Sequence, residues 1–163
     1  MPTPSAPRAT PGTQRTAAPD DEPFWKHKTL SEMTRTEWES LCDGCGKCCL
    51  LKLQDIETDV VEYTNVACRL LDDETCRCTR YTERQRYVPD CVVLSPDNIA
   101  QLSWMPSTCA YRLIAEGRAL PIWHHLVSGS RNTVNMAGHS VRGRTIAEAD
   151  APDPELHIVR WPR

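Results

Sequence analysis

Cysteine is the residue type in this chain most concentrated and best spaced for chemistry. All nine cysteines fall between Cys42 and Cys109, and four of them form the run Cys42-x2-Cys45-x2-Cys48-Cys49. Thiolate sulfur is a preferred ligand for zinc and for iron–sulfur clusters. A Cys-x2-Cys turn brings two sulfurs to one metal while backbone N–H groups point at them and relieve their charge. Two such turns are fused here, and Cys68, Cys76, Cys78, Cys91 and Cys109 supply five more candidate ligands. The simpler alternative, buried cysteines acting as small hydrophobes, suits Cys109 on a predicted apolar helix face. It does not suit residues 42–49, which lie among Asp, Gly and Lys.

Structural zinc usually takes two separated pairs, which Cys42/Cys45 and Cys76/Cys78 would provide. Three cysteines at successive x2 spacing match instead the ferredoxin-type run that holds three irons of one cubane. The rest of that motif is missing, because position 52 is Lys52 rather than a fourth cysteine followed by proline. The Cys-x3-Cys-x2-Cys order of radical enzymes is absent too. Cys48 and Cys49 are adjacent, so their side chains diverge and do not easily share one tetrahedral ion. That geometry predicts two metals or a polynuclear cluster, with the balance tilted to iron–sulfur and Zn2+ as the rival. A thioredoxin-like dithiol needs a βαβ context, and none precedes Cys42. A thiol sensor with loosely held zinc would use the same residues. A nucleophilic cysteine needs a base, and His124, His125 and His139 stand at no spacing that identifies one. The pair His124-His125 reads as one core-facing and one solvent-facing ring rather than as ligands.

The chain around these residues has 163 positions and a net charge of -3. That length fits one domain. Leu, Ile, Val and Phe make up about 18% of it, just under the ~20% at which a self-sufficient core becomes doubtful, so something besides apolar burial is expected to hold the fold. No run of ~18 apolar residues is present, so no membrane span is expected. The slightly acidic balance argues against a general nucleic-acid binder. Arg77, Arg80, Arg84 and Arg86 do interleave with Tyr81 and Tyr87, a pattern that can stack on bases and contact phosphate. The acidic whole favours a solvated face or donors to anionic sulfurs. Residues 1–23 carry no apolar h-region, and Pro2, Pro4, Pro7, Pro11 and Pro19 would break the amphipathic helix of a transit peptide. They read as a disordered tail, the location as cytoplasmic, and the thiols as reduced, which favours metal over disulfide.

The elements that must position the thiols are short. Phe24 and Trp25 mark where apolar anchors begin. Thr34 and Glu37 have the spacing of a capping box that starts a helix through Trp38 and Leu41. Residues 60–66 are β-branched and aromatic and predict a strand leading into Cys68. Residues 72–74 predict a turn, with Cys76-Arg77-Cys78 following at strand-like spacing. Ser95 and Pro96 predict a helix over 97–102. Pro106 and Ser107 predict another over 108–116, stopped by Gly117, with Cys109, Ala110, Leu113 and Ile114 on one face. A short helix over 121–127 and a last strand over 140–147 complete the list. Trp25, Trp38, Trp104, Trp123 and Trp161 serve as anchors, with Ile158 and Val159 available near the end. The expected fold is a small, irregular α+β domain over residues 24–147, organised around its cysteines, with a C-terminal extension over 148–163.

The run resembles that of the bacterial cysteine-cluster proteins described as a zinc- or iron-chelating domain (YkgJ-like), and within them the YcgN-like subgroup. The resembling stretches include Pro23-Phe24-Trp25, Glu37-Trp38-Glu39-Ser40-Leu41-Cys42, Thr64-Asn65-Val66-Ala67-Cys68-Arg69, Pro89-Asp90-Cys91, Thr108-Cys109-Ala110-Tyr111-Arg112-Leu113 and Ser140-Val141-Arg142. They cover most of residues 23–145, and all nine cysteines fall on the subgroup's pattern. The resemblance implies a cytosolic metal binder. Similar domains attached to flagellin lysine methylases hint at an accessory role in protein modification, although no methyl-donor site is recognisable here. Three classes of function follow. The first, a non-catalytic metal protein with a metal ion or cluster as its partner and room for a protein partner, is favoured. The second is a cluster-dependent enzyme with Arg112, His124, His125 or His139 as polar partners, and the third a redox or metal sensor.

Overall fold

The computed structural model describes residues 22–162; most of the predicted N-terminal tail lies outside them. Helix α1 (Phe24–His27) is a single turn. Helix α2 (Arg35–Ser40) begins at the predicted capping box: the Thr34 hydroxyl accepts from the Glu37 amide at 3.2 Å, and Glu37 accepts from the Thr34 amide at 2.8 Å. The same Glu37 carboxylate takes the Lys28 ammonium at 2.6 Å, which ties the end of α1 to the start of α2. Replacing Thr34 with Ala is expected to cost about 1 kcal/mol, seen as an earlier urea midpoint under anaerobic conditions. No change would mean that packing alone starts the helix.

Strand β1 (Leu50–Gln54) pairs antiparallel with β2 (Val61–Ala67), in the register Leu50 to Ala67 and Lys52 to Tyr63. Two residues of β1 thus span four of β2, and the excess forms a bulge around Thr64. This threonine is fully buried because its hydroxyl has somewhere to go: it donates to the Leu51 carbonyl at 2.8 Å. The predicted strand over 60–66 is therefore present, shifted by one residue. A two-residue hairpin, β3 (Leu71–Asp72) with β4 (Arg77–Cys78), follows. The Asp72 carboxylate closes its turn by accepting from the Glu74 and Thr75 amides. Cys76 lies in that turn at φ 53° rather than in the strand, so the predicted Cys76-Arg77-Cys78 strand loses its first residue.

Helix α3 (Arg84–Tyr87) precedes a long irregular stretch. The helix predicted over 97–102 shrinks to a 3-10 turn at Ile99–Gln101, because Ser95 and Asn98 bond to one another's backbone and make a turn first. The helix predicted over 108–116 is α4 (Ala110–Ala115), with Cys109 as its extended N-cap. The Cys109 amide already closes a turn onto Pro106 at 2.9 Å, so the helix starts later, while Cys109 still packs against the core with Ala110, Leu113 and Ile114. Helices α5 (His125–Ser128) and α6 (Thr133–Met136) are single turns. The last predicted strand contracts to β5 (Ile146–Ala147), parallel to β2, since Gly143 at φ 66° breaks the run before it. The segment beyond it also lies on β2: Thr64 bridges Ile158, and the Trp161 indole donates to the Thr64 carbonyl at 3.1 Å.

The core has two parts. The larger is built from Leu30, Leu41, Ile99, Met105, Ala110, Tyr111, Leu113 and Leu120, with Phe24, Trp25, Trp38 and Trp104 against it. The smaller holds Leu50, Cys76 and Val141, covered by Tyr63, Leu71 and Trp161. Cys109 packs against the larger part, and Cys76 belongs to the smaller. This is the small α+β arrangement expected of short elements in a chain poor in large aliphatic groups. Among the described residues no helix is long and apolar enough to cross a membrane.

Candidate metal centre

Helix α2 ends at Leu41, which is fully buried, and delivers Cys42 into a tight loop. The Asp43 carboxylate accepts from the Cys45 amide at 2.9 Å and turns the chain. Gly46 sits at φ 78°, and the Val141 amide donates to the Cys45 carbonyl at 2.9 Å. A 3-10 turn, Lys47–Cys49, closes the run. The expected pattern of backbone amides directed at sulfur is present: Gly44 donates to Cys42, Lys47 to Cys45, and Tyr111 and Arg112 at the head of α4 to Cys109.

All nine cysteines are free thiols. The Cys48 and Cys49 sulfurs are 3.9 Å apart, about twice a disulfide bond length of ~2.05 Å, so these side chains converge where their adjacency predicted divergence. Cys42 and Cys48 keep solvent-exposed surface, whereas Cys45 and Cys76 are buried. Protein packed around the Cys42 sulfur pushes its thiol up to about 12, and the charges of Cys48 and Asp43 add to this. Burial raises Cys45 well above its ordinary value, again with Asp43 and Cys48 contributing. Cys109 is pushed up to about 12, first by burial. Cys48 is lowered to about 7 by its hydrogen bond with Cys49, and Cys49 is raised in return. The strongest thiol influences on Cys49, after Cys48, come from Cys68 and Cys78, and those on Cys91 from the same two residues.

Cys76 stands apart. Its sulfur lies 3.3 Å from the Ser140 hydroxyl, and the charges that act on it are those of Asp73 and Arg142. Among the described residues, no three His, Cys, Asp or Glu side chains meet the geometry for holding a metal ion. The fold therefore supplies neighbourhoods of thiols rather than finished coordination spheres. The donor set still fits a thiophilic metal. Buried thiols and the partnerless inner oxygen of Asp43 oppose negative charge here, and a cation would relieve that opposition.

Lys52, the residue that interrupts the ferredoxin pattern, is part of the site. Its ammonium donates to the Cys48 carbonyl at 3.0 Å and the Leu50 carbonyl at 2.7 Å, and lies over Tyr63 and Trp104. Burial lowers its pKa, and the charges of Cys48, Cys49, Cys45 and Cys68 pull it back up. Lys47 is buried and donates to the Pro162 carbonyl. Lys47 and Asp43 did not stand out in the sequence, although their position inside the cysteine run was an available signal; Lys52 stood out only as the residue that breaks the pattern. The arginine stretch is a surface face, with the Arg84 guanidinium 4.2 Å from the Tyr81 ring centre and close enough to Cys91 to oppose its upward shift. An open cleft of about 260 Å³ beside the Cys42–Cys45 turn is lined by Arg77, Arg131 and Arg142 together with Asp43.

Of the polar candidates for catalysis, Arg112 and His124 are committed elsewhere, and His125, expected to face solvent, has both ring nitrogens buried with its ring 4.5 Å from that of His124. Arg112 is held by Glu116 at 2.6 Å and by the Met105 carbonyl at 2.7 Å. His124 is fully buried, with Nε2 3.0 Å from the Leu41 carbonyl and Nδ1 accepting from the Leu126 amide at 3.2 Å. Both ring nitrogens are thus used, in the neutral form. His139 stacks on Trp123 at 4.4 Å. Burial lowers His124; burial, then His124 and Arg131, lower His125 to about 4. Unfolded imidazoles take up protons near pH 6.5, so below that value the unfolded state binds more protons than the folded one. Stability present above about pH 6.5 is therefore lost as the pH falls towards about 4. The urea midpoint of metal-loaded protein should fall over that window and fall less in His125→Gln. Metal content is followed in parallel, and equal slopes for the two proteins would refute this origin.

A family model described as "Putative zinc- or iron-chelating domain", carrying the pattern CxxCxxCC, matches residues 41–110. All nine cysteines lie inside that match. A protein of Parvibaculum lavamentivorans is 58% identical over 144 residues, covering 87% of this chain and 94% of the relative. One from Mesorhizobium japonicum is 60% identical over 136 residues, or 83% of this chain and 92% of the relative. One from Shewanella oneidensis is 55% identical over 139 residues, or 85% and 95%. No solved structure matches the chain. Each of these relatives is called a UPF0260 protein, and identity of this extent across nearly their whole lengths means that the chain belongs to the UPF0260 family, whose cysteine run is that of a zinc- or iron-chelating domain.

Proposed function

We propose that this is a non-catalytic metal protein of the reducing cytosol whose cysteines hold iron–sulfur. The observation that carries the reading is the loop from Cys42 to Cys48. Three thiols at successive x2 spacing share one glycine-turned loop, with backbone amides aimed at the sulfurs of Cys42 and Cys45. Such a run suits one cubane better than one tetrahedral ion, because a single ion is normally met by two separated pairs. When bound, the group supplies electron-transfer capacity or a structural clamp. The chain's own part is to present thiolates, to direct amides at them and to place Lys52 against the cysteine carbonyls. Purification without oxygen is expected to give brown protein containing iron and acid-labile sulfide. Colourless protein with stoichiometric zinc would replace the cluster by zinc, and folded protein with neither would end the metal reading.

A further inference from the structure

The nine cysteines do not act as one set. Resting on the metal reading above, we propose that they divide four, four and one: Cys42, Cys45, Cys48 and Cys109 hold one centre, Cys49, Cys68, Cys78 and Cys91 hold a second, and Cys76 holds none.

The division follows from which segments the fold joins. Cys42 leaves the end of α2 and Cys109 caps the start of α4. These two ends are locked together: the Trp38 and Tyr111 rings lie 4.6 Å apart, and the Tyr111 hydroxyl donates to the Trp38 carbonyl at 2.9 Å. Leu41 and Ala110, the neighbours of the two cysteines, are buried in the same core. Cys45 and Cys48 reach this place through the loop itself.

Cys49 is carried the other way by β1. The pairing of Leu50 with Ala67 sets Cys68 beside it, and the Cys68 amide donates to the Cys49 carbonyl at 2.8 Å. The Leu71 amide then donates to the Cys68 carbonyl at 2.8 Å, and Leu71 pairs with Cys78 across the hairpin. Residues 84–91 fold back over the same corner: Arg69 donates to the Tyr87 carbonyl, and the Gln85 amide group to the Cys91 carbonyl at 3.1 Å. The Cys48 and Cys49 sulfurs lie 3.9 Å apart, so the two sets meet at this pair, and it is the backbone pairing of Cys49 with Cys68 that assigns Cys49 to the second. Two-cluster ferredoxins divide their run the same way, with three cysteines plus a remote one on the first cluster and the run's last cysteine on the other.

Cys76 is on neither side. It is buried at φ 53° in the hairpin turn, packed with Leu50 and Val141, and its sulfur is met by the Ser140 hydroxyl. A side-chain carbon placed on Gly46 would lie 3.4 Å from the Cys76 sulfur, so this thiol supports the back of the loop.

The test is metal and sulfide per chain in anaerobically purified variants of the full-length protein. Cys76→Ala should keep the wild-type content. Cys109→Ala and Cys91→Ala should each keep about half, the Cys42→Ala/Cys109→Ala pair no less than Cys109→Ala alone, and the Cys109→Ala/Cys91→Ala pair nothing. Loss of metal from Cys76→Ala while the protein stays folded, or complete emptying by either single variant with folding intact, would overturn the division. Mass-spectrometric thiol footprinting of wild-type protein, loaded and then stripped, covers variants that fail to fold. Eight thiols should change reactivity on stripping, and Cys76 should not; a Cys76 that is protected only in the loaded state overturns the proposal. Wild-type protein that holds no metal would instead defeat the underlying metal reading.

Discussion

Stripping the metal is expected to unfold the β half of this protein while the helical core survives as a loosely ordered remnant. Around Cys49, Cys68 and Cys78 the regular structure amounts to a five-residue strand, a seven-residue strand and a hairpin of two-residue strands. Small sheets of this kind are not stable in water without a packed face. The hydrophobic cluster under them is small, with Leu50, Cys76 and Val141 as its buried members. Structural metal sites contribute about 10 kcal/mol or more in small thiolate-held domains, which matches the entire net stability of a typical domain. The larger core, from Leu30 to Leu120, packs eight buried residues, none of them a cysteine, although Cys109 lies against it. Under chelator and reductant, amide hydrogen exchange should therefore become fast throughout β1 to β4 and stay partly slow in α2 and α4. Protection that is the same with and without metal would show that packing, not thiolate–metal bonding, holds the sheet.

Adding one methyl group at Gly46 should be nearly as damaging as losing a ligand. Its φ of 78° is a left-handed conformation, and an added Cβ would stand 2.6 Å from the Cγ2 of Val141. Val141 is fully buried and its amide holds the Cys45 carbonyl, so it has no room to retreat without pulling on the loop. Backbone strain of about 1–3 kcal/mol and overpacking of about 1–3 kcal/mol then add, and Gly46→Ala should lose roughly 2–6 kcal/mol together with much of its metal. Gly44→Ala is the control, because Gly44 has a similar φ of 76° and nothing within 4 Å of the added carbon. It should show the strain alone. Equal denaturation midpoints and metal content for the two variants would remove the Val141 contact from the explanation.

These expectations also show how far the chain could be read before it was folded. The Thr34–Glu37 box, the strand ahead of Cys68 and the fused Cys-x2-Cys turns were legible because each is set within a few residues. Capping, β-branched runs and knuckle turns are decided by neighbours in sequence. The helices predicted over 97–102 and 108–116 came out shorter for a reason of the same scale. Backbone bonds at Ser95 and Pro106 made turns that competed with the first helical turn. The core-facing histidine was also foreseen, though not that its ring would hold the Leu41 carbonyl next to Cys42.

Local spacing determined by itself that thiols dominate this protein's chemistry, but not that the Cys48 and Cys49 sulfurs would lie only 3.9 Å apart. Only the tertiary structure decided where they point. Trp38 on Tyr111 brings residue 109 to residue 42, the β1–β2 register brings residue 68 to residue 49, and Ser140 meets Cys76 across more than sixty positions. Such partnerships depend on how distant segments pack, and packing follows from the shape and burial of whole elements rather than from the spacing of cysteines along the chain.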